Sequence, residues 1–263
     1  MELAEYEGQI YGPNPLRVSV DAVADFVEVT GDDENRWTSA APPGFAAAAL
    51  FVVAPELLDQ LSDRSIIHGE QSFTWHNPIE IGTLLSVSGS VSRVRERSGV
   101  NFVTFEMNAK HEGKSVVDGS SLFLVSGESI PGGSDFERPE PPHSYRGSPK
   151  DGEVGASRAD LIRYAAATRD WNPVHWDHDA GVVAGFPGVV AHGLLQAAWA
   201  LVAASKLHES QMPFASARVR FRNPLLPARP VRVSTEFESS TVNVTISDLD
   251  DQYMTARIEL ADE

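Results

Sequence analysis

Two stretches of the chain are apolar on nearly every face, and each is followed by segments in which apolar and polar residues alternate. Phe45 to Leu58 is the first; Val189 to Leu207 is the second, with Leu194, Leu195, Trp199, Leu201 and Val202. A helix apolar all round is buried on most sides, so each stretch predicts a central buried helix. Leu85, Val87 and Val91 then follow a period of two, as do Val231 and Val233, and Val242, Val244 and Ile246. That period predicts strands with one buried face. Turn-like breaks at Ser98-Gly99, Glu112-Gly113 and Asp248 to Asp251 separate the runs. Antiparallel strands curling around one helix account for the pattern, and they do so twice.

The two halves repeat each other. Asp25 to Asp32 lies against Arg163 to Asp170, an offset of 138 residues. Pro43-Gly44 lies against Pro187-Gly188 and Asn77-Pro78 against Asn223-Pro224, at offsets of 144 and 146. In each half a short helix ends near an aspartate, a loop follows, then the apolar helix, then strands. Between the halves, Gly127 to Gly155 holds five prolines and six glycines. Proline without a periodic apolar pattern suppresses both helix and ladder. The reading is a first domain over 1–127, a connector over 128–154 and a second domain over 155–263, their sheets side by side.

Charge and composition narrow the function. The chain has 263 residues, with 21 Lys and Arg against 37 Asp and Glu, a net charge of −16. Phosphate neutralisation needs a basic footprint, so a general nucleic-acid binder is not expected. There is no cysteine, hence no disulfide, thiolate metal site or cysteine nucleophile. The longest apolar stretch, Phe45 to Pro55, falls far short of the roughly 20 residues that span a bilayer. The N-terminus lacks the basic and apolar regions of a secretory signal. A soluble, cytoplasmic protein without a membrane partner is the expectation.

The most informative segment is Arg169-Asp170-Trp171-Asn172-Pro173-Val174-His175. Asn-Pro favours a turn and stops a helix. The turn can bring the Asp170 carboxylate and the His175 imidazole toward one point, an arrangement suited to general acid–base work on a shared water. The first half keeps Asp32 but has Glu34, Asn35 and Trp37 where Asn172, Pro173 and His175 stand. It is read as catalytically silent, its space available to the tail of a substrate. Arg218, Arg220 and Arg222 alternate with Val219 and Phe221. They form either a solvated strand face or a seat for phosphates, which arginine grips in bidentate fashion.

These motifs carry a family resemblance. Asp170 to His175, then Gly185-Phe186-Pro187-Gly188, then Ala191-His192-Gly193 resemble the signature of the MaoC-like dehydratases, the (R)-specific enoyl-CoA hydratases. His68-Gly69-Glu70-Gln71 is similar to the first half of their two-domain members. The resemblance implies an α+β double hotdog, with a sheet wrapped around a central helix in each half. It implies that Asp170 and His175 activate a water that adds to C3 of a trans-2-enoyl thioester while a proton reaches C2. Asn172 would orient the loop, and the N–H of Gly193 would bind the thioester carbonyl. Arg218, Arg220 and Arg222 would meet the phosphates of coenzyme A. Arg169 stands where the family has glycine; beside a carboxylate it would favour the charged form.

His175 and His178 near Asp177 and Asp179 offer metal ligands, but no third histidine stands at a fixed spacing, so no metal is expected. His178 and Asp179 are read as solvated loop residues, and His192 as a packed or capping histidine. No cofactor is required, because coenzyme A enters with the substrate. An acyl-CoA is favoured over an acyl carrier protein, which a −16 chain would repel. A homodimer is what the resemblance implies. Two alternatives remain open here: a hotdog thioesterase, and a non-catalytic partner subunit of an active hydratase.

Overall fold

The computed structural model describes residues 3–128, 147–208 and 210–261. Its first half runs β1 (Ile10–Arg17), α1 (Val20–Thr30), α2 (Ala46–Gln60), β2 (Arg64–Trp75), β3 (Leu84–Arg97), β4 (Val100–His111) and β5 (Lys114–Glu128). The second half runs β6 (Glu153–Val154), α3 (Arg158–Thr168), α4 (His178–Val183), α5 (Gly193–Ala204), β7 (Phe214–Phe221), β8 (Val231–Glu238), β9 (Thr241–Ser247) and β10 (Gln252–Leu260). Most of the expected connector, residues 129–146, lies outside the described residues. Its last two residues are not linker: Glu153 and Val154 form β6, which pairs with β8.

The ten strands of the described residues form one sheet, in the order β1-β3-β4-β5-β2-β7-β10-β9-β8-β6. Read outward from the β2–β7 junction, the two sides have the same order: β2-β5-β4-β3-β1 and β7-β10-β9-β8-β6. The repeat seen in the sequence is therefore a repeat of topology. The two expected sheets have merged, because β2 and β7 pair antiparallel from Glu70 opposite Arg220 to Thr74 opposite Ser216. The alternating residues behave as their period requires. Leu85, Val87, Val91, Val231, Val233, Val242, Val244 and Ile246 are all buried. Ser98-Gly99 and Glu112-Gly113 carry positive φ in the hairpins that they close.

Each half wraps a nearly all-buried helix. In α2, Ala46 to Leu50, Val53, Ala54 and Leu57 are buried. In α5, every residue from Leu194 to Ala204 is buried. The short helices α1 and α3 pack against each other across the pseudo-twofold, where the rings of Phe26 and Tyr164 lie 5.8 Å apart. Arg36 reaches over from the first half to the carbonyls of Ser205 and His208, at 3.3 and 2.5 Å, just after α5. No helix among the described residues is long and apolar enough to cross a membrane.

One sheet and one continuous core imply one cooperative unit. Leu50→Ala in α2 and Leu195→Ala in α5, both at fully buried positions, are each expected to cost about 2–5 kcal/mol. Urea unfolding followed by circular dichroism and by tryptophan fluorescence is expected to give coincident transitions in both variants. A second transition that moves with only one of the substitutions contradicts this account.

Candidate active site

Helix α3 delivers the first functional group. Ser157 caps it, with its hydroxyl accepting from the Asp160 N–H while the Asp160 carboxylate accepts from the Ser157 N–H. The helix ends at Arg169, whose φ of 66° lies in the left-handed region. That reversal turns Asp170 inward, where it is 5% exposed. The equivalent end of α1 carries Gly31 at φ 69°. Arginine here thus adopts a glycine conformation, at a cost of about 1 kcal/mol.

Asn172 and Pro173 then make the tight turn that the sequence suggests. Pro173–His175 is a single 3₁₀ turn, and the Asn172 side chain accepts from the Val174 N–H at 3.3 Å. Asn172 also donates its backbone N–H to the Asp170 carboxylate. The turn returns His175 to face Asp170, with Nε2 at 4.0 Å from Oδ2. Nδ1 of His175 lies 2.8 Å from the Val190 carbonyl. A carbonyl only accepts, so Nδ1 carries the hydrogen and Nε2 presents its lone pair to Asp170.

Burial sets the electrostatics. It pushes the Asp170 carboxyl up to about 7, partly offset by the Asn172 N–H. It brings the His175 imidazole down to about 4, partly offset by the Val190 carbonyl. The expectation that Arg169 would favour the charged Asp170 fails. Arg169 is exposed, and desolvation drives the shift in the opposite direction. A water 2.8 Å from two atoms that are 4.0 Å apart makes an angle of about 90° between them, within the range of a bridging donor and acceptor.

The segment after the loop explains why α5 starts later than Val189. Val190 donates to the Val174 carbonyl at 3.1 Å and Ala191 to the Leu225 carbonyl at 2.7 Å. These bonds hold residues 190–192 extended, and the helix begins at Gly193. The Gly193 N–H is one of the orphan donors of a helix start, at the positive end of the helix dipole. A side chain on Gly193 would press on the Phe221 ring at 3.0 Å. His192, the residue before it, is fully buried and makes no side-chain cap. Its ring stacks on His175 at 3.8 Å and its Nε2 lies 3.2 Å from the Asp170 carbonyl. It is packed, as expected, but not capping.

The arginine row is not brought to this site. Along β7 the buried residues Ala217 and Val219, with the half-buried Phe221, face the core, so Arg218 and Arg220 point to the opposite sheet face. There Glu70 of β2 holds both, with Arg218 Nη2 at 2.6 Å from one oxygen and Arg220 Nε at 3.1 Å from the other. Only Arg222, exposed at the end of β7 beside Phe221, has no ion-pair partner among the described residues.

The metal reading also changes. Asp177 caps α4, accepting from the N–H groups of Asp179 and Ala180. His178 is half-buried against Gly188 rather than solvated. The donor trio is instead Asp170, His175 and His192, whose ligand atoms lie within 4.8 Å of one another. The two rings are stacked with 27° between their planes.

In the first half, Trp37 occupies the place of the histidine and donates to Asp32 Oδ2 at 2.7 Å. Lys150 lies 3.4 Å from Oδ1. The cavity beside them, lined by Phe26, Asp32, Trp37 and Phe214, has about 10 Å³, room for one water. The expected acyl tail does not fit that space as it stands. Lys150 falls inside the expected connector and carries no sequence signal of its role.

Comparison with known proteins shows which families the two halves resemble. Residues 142–256 match the MaoC like domain. Residues 8–119 match the FAS1-like dehydratase domain region. The 3-hydroxyacyl-thioester dehydratase X of Mycobacterium tuberculosis is 29% identical over 211 residues, which cover 78% of this chain and 72% of that one. The peroxisomal multifunctional enzyme type 2 of Drosophila melanogaster is 25% identical over 76% of this chain, which spans only 37% of that enzyme. The crystal structure of HtdX of Mycobacterium tuberculosis superposes with a TM-score of 0.73 at 22% identity, covering 96% of this chain and 100% of that one.

Two stability measurements check the local physics. Arg169→Gly is expected to raise stability by about 1 kcal/mol, because it removes the left-handed penalty; no gain in urea midpoint contradicts the assignment. The folded-state value of Asp170 lies above the unfolded one, so its cost begins near pH 3.8 and is complete above about pH 7. Asp170→Asn is therefore expected to raise the melting temperature more at pH 8 than at pH 4.5. An equal change at both pH values contradicts the burial account.

Proposed function

As a chain that joins a FAS1-like dehydratase region to a MaoC like domain, this protein belongs to the MaoC-like dehydratases, hydro-lyases of fatty-acid metabolism, and we propose that it interconverts trans-2-enoyl-CoA and (3R)-3-hydroxyacyl-CoA. The observation that carries this reading is the buried slot of 4.0 Å between Asp170 Oδ2 and His175 Nε2. Burial moves the two groups in opposite directions, to about 7 and about 4. Between those values the pair holds one proton, on Asp170.

That state suits hydration. The neutral His175 Nε2 takes a proton from the bridging water as its oxygen attacks C3. The Asp170 carboxylic acid gives its proton to C2 on the same face, so the addition is syn. Dehydration runs the steps backwards and starts from the other placement of the same single proton. Both directions thus use the singly protonated pair. Negative charge that builds on the thioester oxygen meets the Gly193 N–H, aided by the dipole of the 12-residue α5. Asn172 holds the turn. The reaction needs no metal or redox cofactor. Arg222 is the arginine of the row best placed for the CoA phosphates, since Glu70 already occupies Arg218 and Arg220.

The test is turnover by the purified full chain. Asp170→Asn and His175→Ala are each expected to lower kcat for enoyl-CoA hydration by at least ~100-fold, with an unchanged circular dichroism spectrum. Chiral analysis is expected to give the 3R alcohol. Near wild-type turnover in both variants, a 3S product, or release of free thiol without hydration overturns the reading.

A further inference from the structure

The acid–base pair and the oxyanion donor come from different parts of the chain, and something must hold them in register. Asp170 and His175 belong to the loop after α3, whereas Gly193 opens α5. Two side chains cross between these parts. One is His175 itself, bonded to the Val190 carbonyl at 2.8 Å. The other is His192. Its Nε2 lies 3.2 Å from the Asp170 carbonyl, and its ring stacks on His175 at 3.8 Å.

We propose that His192 is a positioning residue, which ties the Asp170 backbone to the first N–H of α5 and roofs the face of His175. The proposal rests on the hydratase reading of this site. His192 meets each partner differently. Toward Asp170 it acts as a hydrogen-bond donor, because the carbonyl can only accept; Nε2 therefore carries the hydrogen. Toward His175 it acts as an apolar lid that keeps water off the ring. The titratable groups around it are Asp170, His175 and Tyr164, whose ring lies 4.9 Å away. No cation is among them. Burial, with His175 as the second cause, holds His192 well below the usual histidine range. The ring is therefore neutral, and its Nδ1 is buried with no hydrogen-bond partner among the described residues.

That orphan nitrogen is informative. Histidine leaves one buried acceptor unsatisfied, which disfavours the fold. Phenylalanine would fill the same space without that defect, so packing alone does not call for histidine. What phenylalanine lacks is the N–H to Asp170. A displacement of about 1 Å at a catalytic group can lower turnover by about 100-fold, so a hydrogen bond that fixes the Asp170 backbone is worth a buried defect.

Two variants separate the two contacts. His192→Phe keeps the lid and loses the donor. It is expected to lower kcat by about 10- to 100-fold with KM changed less than about threefold, while the NMR titration of the His175 ring stays where it was. His192→Asn loses the lid. It is expected to move the His175 titration upward by at least about one pH unit, and to move the acid limb of kcat/KM with it. Should the asparagine variant fail to fold, His192→Gln serves for the same titration. Wild-type kcat in the phenylalanine variant overturns the proposal. So does an unmoved His175 titration in the amide variant, or a uniform loss of activity whose pH profile superposes on wild type. The NMR titration requires no turnover, so an inactive wild-type chain would refute the hydratase reading and leave the lid contact still tested.

Discussion

The hydrogen bond from His175 Nδ1 to the Val190 carbonyl, 2.8 Å long, is the contact around which the candidate site is arranged. It fixes the tautomer, so the lone pair on Nε2 faces Asp170. It also constrains the backbone. For that carbonyl to be available, residues 190–192 must stay extended, and α5 must begin at Gly193. The helix then opens with the orphan N–H of Gly193, one residue after His192, whose ring stacks on His175. One contact therefore aligns a side chain, delays a helix and sets the position of the proposed oxyanion donor. The low-dielectric surroundings do the rest, pushing the Asp170 carboxyl up and holding the His175 ring neutral.

The duplicated fold carries this device once. Both halves share strand order, central helix and an aspartate after a short helix. In the first half the aspartate is committed to an indole N–H and a lysine. Trp37 fills the space where a water and a histidine would work. The first half extends the sheet through the β2–β7 junction and packs α1 against α3.

Much of this was legible in the sequence. Helices apolar all round and strands of period two express burial directly, and burial dominates a fold of this size. The Asp170–His175 pair was legible because its geometry is local, with five residues and an Asn-Pro turn between the two groups. The rest depended on contacts that no spacing encodes. The Val190 carbonyl is backbone and leaves no mark in residue type. Lys150 reaches Asp32 from more than a hundred residues away. The arginine row looked free because its partner, Glu70, lies on a strand of the other half. Arg169 misled for a related reason: adjacency in sequence suggested a charge partner, whereas the left-handed turn sends arginine to solvent and aspartate to the core.

The central claim is that one proton shared by a buried, oppositely shifted pair does the work. The pH dependence of kcat/KM for hydration of a trans-2-enoyl-CoA tests it most directly. The account predicts a bell whose limbs fall near pH 4 and pH 7, the values that burial sets for His175 and Asp170. A profile that rises through pH 7 to a plateau would mean that ionised Asp170 is the competent form, and would contradict it.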